Sequence, residues 1–191
     1  MKKLIALVLA LVLMVFAAGC AGGFGNNGNP SEVSSEIPFT TVDIMNYTSV
    51  GRFPEFNLGL GCIMGDVRAE YQGDGKMPEY KAVSGMHTLA VDSSTYFMTK
   101  ADYKVVAIIT QKSVFGFNVE VTPENLTAHL GEPTSSFIPD TSKLNPYGTA
   151  TGETLANSYV SGENTVVFYF LQGKLHSTLI YKTGSFSLIG A

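Results

Sequence analysis

Apolar and polar side chains alternate along six short segments of the chain, with the period of two that is typical of antiparallel strands. The alternation predicts strands over residues 88–91, 95–99, 105–111, 157–161, 165–171 and 175–182. A period of three to four predicts short helices over residues 64–71 and 123–130. Thr122 is a good N-cap before Pro123, and Gly131 follows the last helical residue. Helices this short need a sheet to pack against, so we expect an α+β domain.

The order of these elements repeats, because a helix, a loop and three strands occur twice. Phe97 and Phe168 occupy matching places in the two copies and are 71 residues apart, whereas Gly73 and Gly131, which follow the helices, are 58 apart. The second copy is therefore expected to carry about a dozen extra residues in its helix-to-strand loop, within residues 132–156. We predict two repeats, each a short helix packed on an antiparallel three- to four-stranded sheet.

The chain divides into three regions by composition. Residues 1–19 have the layout of a secretory signal, with a basic head, an apolar run and small residues at the end. Residues 20–36 are rich in Gly, Asn and Ser, which predicts a flexible tether with a reach of roughly 20–24 Å. Apolar residues then return, so residues 37–191 are predicted to form a single domain, with its repeats at about 56–111 and 114–182.

Cys20 directly follows the small residues 17–19, at the end of an apolar run over residues 4–16 that is too short to span a bilayer. This arrangement resembles the lipobox of bacterial lipoproteins, in which the first mature residue is a lipidated cysteine. The resemblance implies a diacylglycerol on Cys20, and two acyl chains anchor a protein stably. We expect a lipid-anchored protein on the extracytoplasmic side of a bacterial cell membrane; the alternative is an ordinary secretory signal that ends near a cysteine.

Charge and cysteine content narrow the classes of function. The formal net charge is −4, and loss of Lys2 and Lys3 with the signal makes the mature protein more acidic. The basic residues are scattered, which argues against a nucleic-acid partner. With Cys20 assigned to lipid, Cys62 has no second cysteine for a disulfide and is predicted to be a small core residue. A nucleophilic Cys62 would need a histidine, and His87 is the nearest in sequence.

The glycine run from Gly59 to Gly65 precedes a predicted helix but misses the dinucleotide-binding fingerprint by one residue. We interpret its glycines as structural. The sequence Gly73-Asp74-Gly75 lacks most of the oxygen ligands of a calcium loop.

Side chains for acid-base or metal chemistry are few and dispersed. The histidines do not pair at metal-ligand spacing and stand at His87, His129 and His176. Carboxylates that a glycosidase-like site would need are Asp66, Glu70, Glu79 and Asp92. We expect no cofactor, no metal and no enzymatic activity. The alternative function is a cell-surface hydrolase or metal-dependent enzyme with a dispersed site.

The last predicted hairpin carries a candidate recognition surface. A two-residue turn at Gln172 and Gly173 pairs Leu171 with Lys174. In that register the core face holds Val166, Phe168, Phe170, Leu175, Leu179 and Tyr181. The opposite face is more apolar than a solvated face needs to be, which favours protein recognition unless another segment covers it. We predict a protein-binding face of Tyr169, Leu171, His176, Thr178 and Ile180.

Two segments carry a family resemblance, residues 122–133 (TPENLTAHLGEP) and 166–175 (VVFYFLQGKL). They resemble the helix, Leu-Gly-x-Pro turn and strand hairpin of SmpA/OmlA-like outer-membrane lipoproteins. The doubled form is similar to the β-lactamase inhibitor protein fold and to related exported lipoproteins of Gram-positive bacteria. The resemblance covers about residues 56–182 and assigns no binding residue. The expected function is a membrane-anchored, non-enzymatic lipoprotein that binds a protein or scaffolds the envelope.

Overall fold

Antiparallel strands form one sheet in the computed structural model, which describes residues 38–71, 80–83, 86–139 and 154–185. The strands are β1 (Tyr80–Val83), β2 (Met86–Ala90), β3 (Thr95–Thr99), β4 (Val105–Thr110), β5 (Ser135–Phe137), β6 (Thr154–Ser161), β7 (Asn164–Leu171) and β8 (Lys174–Lys182). The helices of the described residues are α1 (Ile44–Ser49), α2 (Met64–Tyr71) and α3 (Pro123–Leu130). Across the sheet the strand order is β1-β2-β3-β4-β8-β7-β6-β5.

Each half of the sheet is a four-stranded meander that follows a helix, because α2 precedes β1–β4 and α3 precedes β5–β8. The halves join where β4 and β8 pair antiparallel, with Ile108 facing Ile180 and Ile109 facing Leu179. The predicted α+β fold of two helix-and-sheet repeats is confirmed.

The first repeat contains a β-bulge between β3 and β4. Met98 faces Ala107 and Thr99 faces Val105, so Val106 is an extra residue on β4. An extra residue twists the ladder and moves every later side chain to the other face of the sheet.

The second repeat has a bulge at the corresponding place between β7 and β8. Tyr169 faces Ser177 and Phe170 faces Leu175, so His176 is extra on β8. The predicted turn at Gln172 and Gly173 is present, and its positive φ angles of 50° and 77° suit a type I′ hairpin.

All three helices pack on one face of the sheet, over a core that joins the two repeats. Val67 of α2 and Leu126 of α3 occupy the same position of their helices and are both fully buried. Burial of one such side chain stabilises the fold by about 1.5–3 kcal/mol.

A chain of aromatic contacts runs through this core from one repeat to the other. Phe97 of β3 contacts Phe56, with ring centroids 6.1 Å apart, and Phe56 contacts Phe53 at 5.7 Å. Phe53 lies 5.4 Å from Phe115, which lies 6.2 Å from Phe168 of β7. The two third-strand phenylalanines are therefore linked through three intervening rings.

Helix α3 begins as its sequence predicts. Thr122 is the N-cap, its hydroxyl accepts from the Asn125 backbone N–H at 3.3 Å, and the Asn125 side chain accepts in return from Thr122 N–H at 2.8 Å. This reciprocal capping box satisfies two backbone donors that the helix leaves unpaired.

Among the elements of the described residues, α1, β1 and β5 are not predicted from the sequence. Strand β5 lies inside the segment 132–156 that we expected to be a loop, and its short, polar sequence gives no alternation to detect. The extra length of the second repeat therefore falls between β5 and β6, not between the helix and the first strand. Residues 140–153 of that connection lie outside the described residues.

Candidate functional site

The predicted protein-binding face is not assembled in the structure. Tyr169 lies on the sheet face away from the helices and is only 5% exposed. Ile180 lies on the helix face, and both Thr178 and Ile180 are buried. Leu171 and His176 are half-buried. Thr178 and Ile180 leave the predicted face because the bulge at His176 shifts residues 177–182 by one position, which exchanges their two faces. Tyr169 keeps its predicted face but is buried in the cluster on that side of the sheet.

The same shift corrects the predicted core face of β8. Leu179 and Tyr181 belong to the cluster on the far side of the sheet, with Tyr169. The core predictions for Val166, Phe168, Phe170 and Leu175, which precede the bulge, are confirmed by their place in the helix-side core.

A different surface, centred on the turn between β3 and β4, has exposed side chains, a strained backbone and an adjacent cavity. Tyr103 has a φ of 58°, the left-handed region that non-glycine residues rarely adopt, and its side chain is 54% exposed. Its backbone N–H donates to Lys100 O at 3.0 Å, and its carbonyl accepts from Met64 N–H at 2.9 Å. Strained, exposed residues held in this way are often functional.

The chain before α2 holds this turn in place by running antiparallel to the start of β4. Gly61 N–H donates to Val105 O at 2.8 Å, and Val105 N–H donates to Cys62 O at 2.9 Å. Ile63 pairs with Lys104 as an isolated β-bridge. As a result Ile63, which is 54% exposed, lies on the short strand next to the Tyr103 turn.

A cavity of about 310 Å³ opens beside this patch. The described residues that line it are Met64, Gly65, Arg68, His87 and Tyr103, which we call the Tyr103 pocket. The His87 and Tyr103 rings stack with centroids 5.5 Å apart and an interplanar angle of 20°. A Cβ added at Gly65 would meet no atom within 4 Å, so the first turn of α2 leaves open space. Arg68 supplies a permanent positive charge.

The described residues of the second repeat do not reproduce the lining of this pocket. Its β7–β8 turn is the two-residue turn Gln172-Gly173, whereas residues 100–104 connect β3 to β4. Arg68 corresponds to Thr127, since each is the fifth residue of an eight-residue helix.

His87 corresponds to Leu155 in the same comparison. His87 faces Thr99, and Leu155 faces Phe170, the residue that corresponds to Thr99 beside the bulge. The cation and the imidazole are therefore specific to the first repeat. Sequence reasoning missed this site because its residues come from three separated elements, and none belongs to a motif.

The glycines before α2 have structural roles. A Cβ on Gly59 would lie 2.6 Å from Gly51 O, closer than real atoms approach, and Gly61 has a φ of 84°. Leu60 N–H donates to the same Gly51 carbonyl at 2.8 Å.

Cys62 belongs to the same segment and is half-buried. Burial first, and the charge of Asp66 second, raise the pKa of its thiol, so the thiolate is disfavoured at neutral pH. Cys62 thus packs against the edge of the core and is not one of its buried members.

The other residues considered for chemistry stay apart. His129 packs against the ring of Phe39 at 4.9 Å, and Asp92 forms an ion pair with Lys112 at 2.6 Å. Within residues 38–71, 80–83, 86–139 and 154–185, no group of three or more His, Cys, Asp or Glu side chains is placed to hold a metal ion.

Glu79 and the segment 73–75 lie outside the described residues, as does Cys20. None of the described helices is long and apolar enough to cross a membrane.

Comparison with known proteins gives a likeness of fold. The chain is similar in structure to a DUF4309 family protein (YjgB) from Bacillus subtilis, with a TM-score of 0.50 and 17% sequence identity over 73% of this chain and 93% of that one. No protein-family model and no curated protein matches the sequence. This similarity concerns the fold alone and does not assign a function.

Proposed function

We propose that the protein is an extracytoplasmic lipoprotein, held to a bacterial membrane by lipid on Cys20, that binds a protein partner through the Tyr103 pocket and the adjacent Ile63. The observation that carries this proposal is the exposed, left-handed Tyr103 next to an equally exposed Ile63. Tyrosine and arginine are the residue types that most often dominate protein interfaces, and both line this cavity.

The rigid setting of the patch supports a binding role. The backbone of residues 61–64 is hydrogen-bonded to residues 103–105, so Ile63 and Tyr103 are positioned before a partner arrives. Ordering a surface in advance reduces the entropy lost on association. The acyl chains would keep the domain at the membrane, and the tether predicted over residues 20–36 would let it reach partners in the envelope.

Site-specific photocrosslinking in the native cells tests the binding site. A photoreactive phenylalanine analogue replaces Ile63 in one variant and Val160, a 42% exposed residue of the second repeat, in a control. We expect a discrete adduct from position 63, absent from position 160 and lost when Tyr103→Asn is added. Asparagine tolerates positive φ, so this change is not expected to disturb the turn. Equal adducts from both positions, or an adduct insensitive to Tyr103→Asn, would contradict the proposal.

The anchor is tested separately. Cys20→Ser is expected to release the processed protein from membranes, measured by fractionation and by incorporation of labelled fatty acid. A variant that is processed and remains in the membrane fraction contradicts the lipoprotein proposal, because no helix of the described domain is suited to hold it there.

A further inference from the structure

The two repeats provide an internal comparison that identifies what is special about the Tyr103 pocket. Two core positions remain apolar in both copies, since Val67 corresponds to Leu126 and phenylalanine is kept at Phe97 and Phe168. At pocket positions the chemistry changes.

Charge separates the two copies most clearly. The first repeat has Gly65 and Arg68 where the second has Glu124 and Thr127, at the second and fifth positions of the two helices. The first repeat thus has open space at Gly65 where the second has the anion Glu124, and the cation Arg68 where the second has the neutral hydroxyl of Thr127. Asp66 and Asn125 differ in the opposite sense at the third position, but Asp66 does not line the cavity. At the two positions that do line it, the first repeat is the more positive copy, which favours an anionic ligand there.

The other residues that line the pocket indicate which kind of anion it would bind. Met64 is 4% exposed and lies at the base of α2, and the stacked His87 and Tyr103 rings supply flat apolar surface. Arg68 is the one permanently charged group among the described residues that line the cavity. A dianionic phosphate calls for more positive charge than this, whereas a single carboxylate on a carbon chain matches one guanidinium and an apolar wall.

We propose that the Tyr103 pocket takes a carboxylate of the protein partner, from an acidic side chain or a chain terminus, with Arg68 donating hydrogen bonds to its oxygens. This inference rests on the proposed function. A guanidinium has five N–H donors in a planar fork, so an interaction elsewhere in the protein leaves donors for a ligand. The adjoining carbon atoms pack on the His87–Tyr103 stack, and the volume of about 310 Å³ suits one side chain.

Small planar probes test the ligand chemistry on the folded domain. Protein labelled with ¹³C in the methionine methyl groups is titrated with benzoate, its neutral isostere benzamide, and phenyl phosphate, and the Met64 resonance is followed by NMR. We expect a saturable shift with millimolar benzoate and at least tenfold weaker responses to the other two. Equal responses to benzamide, or tighter binding of phenyl phosphate, would overturn the carboxylate assignment.

Matched variants locate the charge that is responsible. Arg68→Gln keeps a long polar side chain without the charge, and we expect it to weaken benzoate binding at least tenfold. Thr127→Ala changes the corresponding position of the second repeat and should leave binding unchanged. Unchanged affinity in Arg68→Gln, with a native spectrum, overturns the inference.

Two blocked peptides distinguish the sources of the carboxylate. Acetyl-Phe-Glu-amide presents a side-chain carboxylate, and acetyl-Ala-Phe presents a terminal one. A Met64 shift with one of them identifies the source, and no shift with either overturns a polypeptide ligand. If the crosslink at position 63 persists in Arg68→Gln, the binding function stands and the carboxylate inference fails. If benzoate binds as expected but position 63 gives no adduct, the protein-binding function fails.

Discussion

Val106 and His176 occupy the same position of the fold in its two copies, each as the extra residue of a β-bulge near the start of the last strand of its repeat. The agreement extends to their surroundings, since each is followed by the residues that form the β4–β8 junction. A bulge conserved between two copies that differ in most residues is a requirement of the fold, because it sets which face of the last strand meets the helices.

Deletion of His176 should therefore be far more damaging than its substitution. Without the extra residue, the side chains from 177 to 182 change faces. Leu179 would then point to the helix side of the sheet and Ile180 to the opposite side. We expect the deletion variant to lose cooperative unfolding by circular dichroism. His176→Ala, at a half-buried position, should change the free energy of unfolding by no more than about 1 kcal/mol. A deletion variant that unfolds like the wild type would show that register does not depend on this bulge.

Tyr169 should now be treated as a core residue, with a hydroxyl that makes no hydrogen bond to the described part of the protein. Burial raises the pKa of this phenol. Tyr169→Ala should lower the free energy of unfolding by about 3–5 kcal/mol, whereas Tyr169→Phe should be neutral or stabilising by about 1 kcal/mol, because it removes a buried polar group. Phe168→Ala, on the helix side, should cost as much as Tyr169→Ala. Urea unfolding measures all three, and a strongly destabilised Tyr169→Phe would reveal a partner for the hydroxyl.

Asp92, in the turn between β2 and β3, is expected to make the free energy of unfolding depend on pH. Burial opposes ionisation of Asp92, but hydrogen bonds from Lys112 and Ser94 outweigh it and hold the pKa of the carboxyl below its ordinary value. Because the folded pKa is the lower one, the ionised group adds stability above about pH 4, and this is lost as pH falls through the folded pKa.

Asp92→Asn should lower the free energy of unfolding by about 1 kcal/mol at neutral pH, since the Lys112 side chain is half exposed and screened by solvent. The deficit should narrow as the buffer is made strongly acidic. Glu55→Gln, at an exposed carboxylate, is the control and should show neither effect. A deficit that is constant with pH would mean that the charge of Asp92 does not contribute.

Two glycines of the same run should respond oppositely to alanine. Gly59→Ala would place a methyl group 2.6 Å from the Gly51 carbonyl oxygen and should destabilise the fold by about 1–3 kcal/mol. Gly65→Ala meets open space within a helix and should stabilise it by about 0.5 kcal/mol. Thermal unfolding of the two variants measures the difference. Equal melting temperatures would contradict the close approach at Gly59.

Local patterns predicted most of the elements of this fold, and long-range register accounts for the errors. The capping sequence at Thr122 and the alternation around Phe97 and Phe168 are signals that act within one turn or one strand. The bulge at His176 has no such signal, since only the pairing with β7 and β4 defines it. That undetected residue misplaced Thr178 and Ile180 of the predicted recognition surface, whereas Tyr169 lies on the predicted face and is buried there.

The Tyr103 pocket illustrates the second limit. Arg68, His87 and Tyr103 come from a helix, a strand and a turn that meet only after the sheet has formed. Their residue types are common. The left-handed conformation of Tyr103 could not be predicted, because glycine or asparagine usually marks such a position in a sequence.

The antiparallel junction of β4 and β8 makes this chain the equivalent of a symmetric dimer whose subunits have been fused. Two separate copies joined through such a strand pair would dissociate on dilution, whereas a single chain keeps its partner at a fixed effective concentration. A protein spread thinly over a membrane would keep its sheet intact for this reason. Fusion also frees the copies from identity, so that one half can preserve the core while the other half diverges around Tyr103.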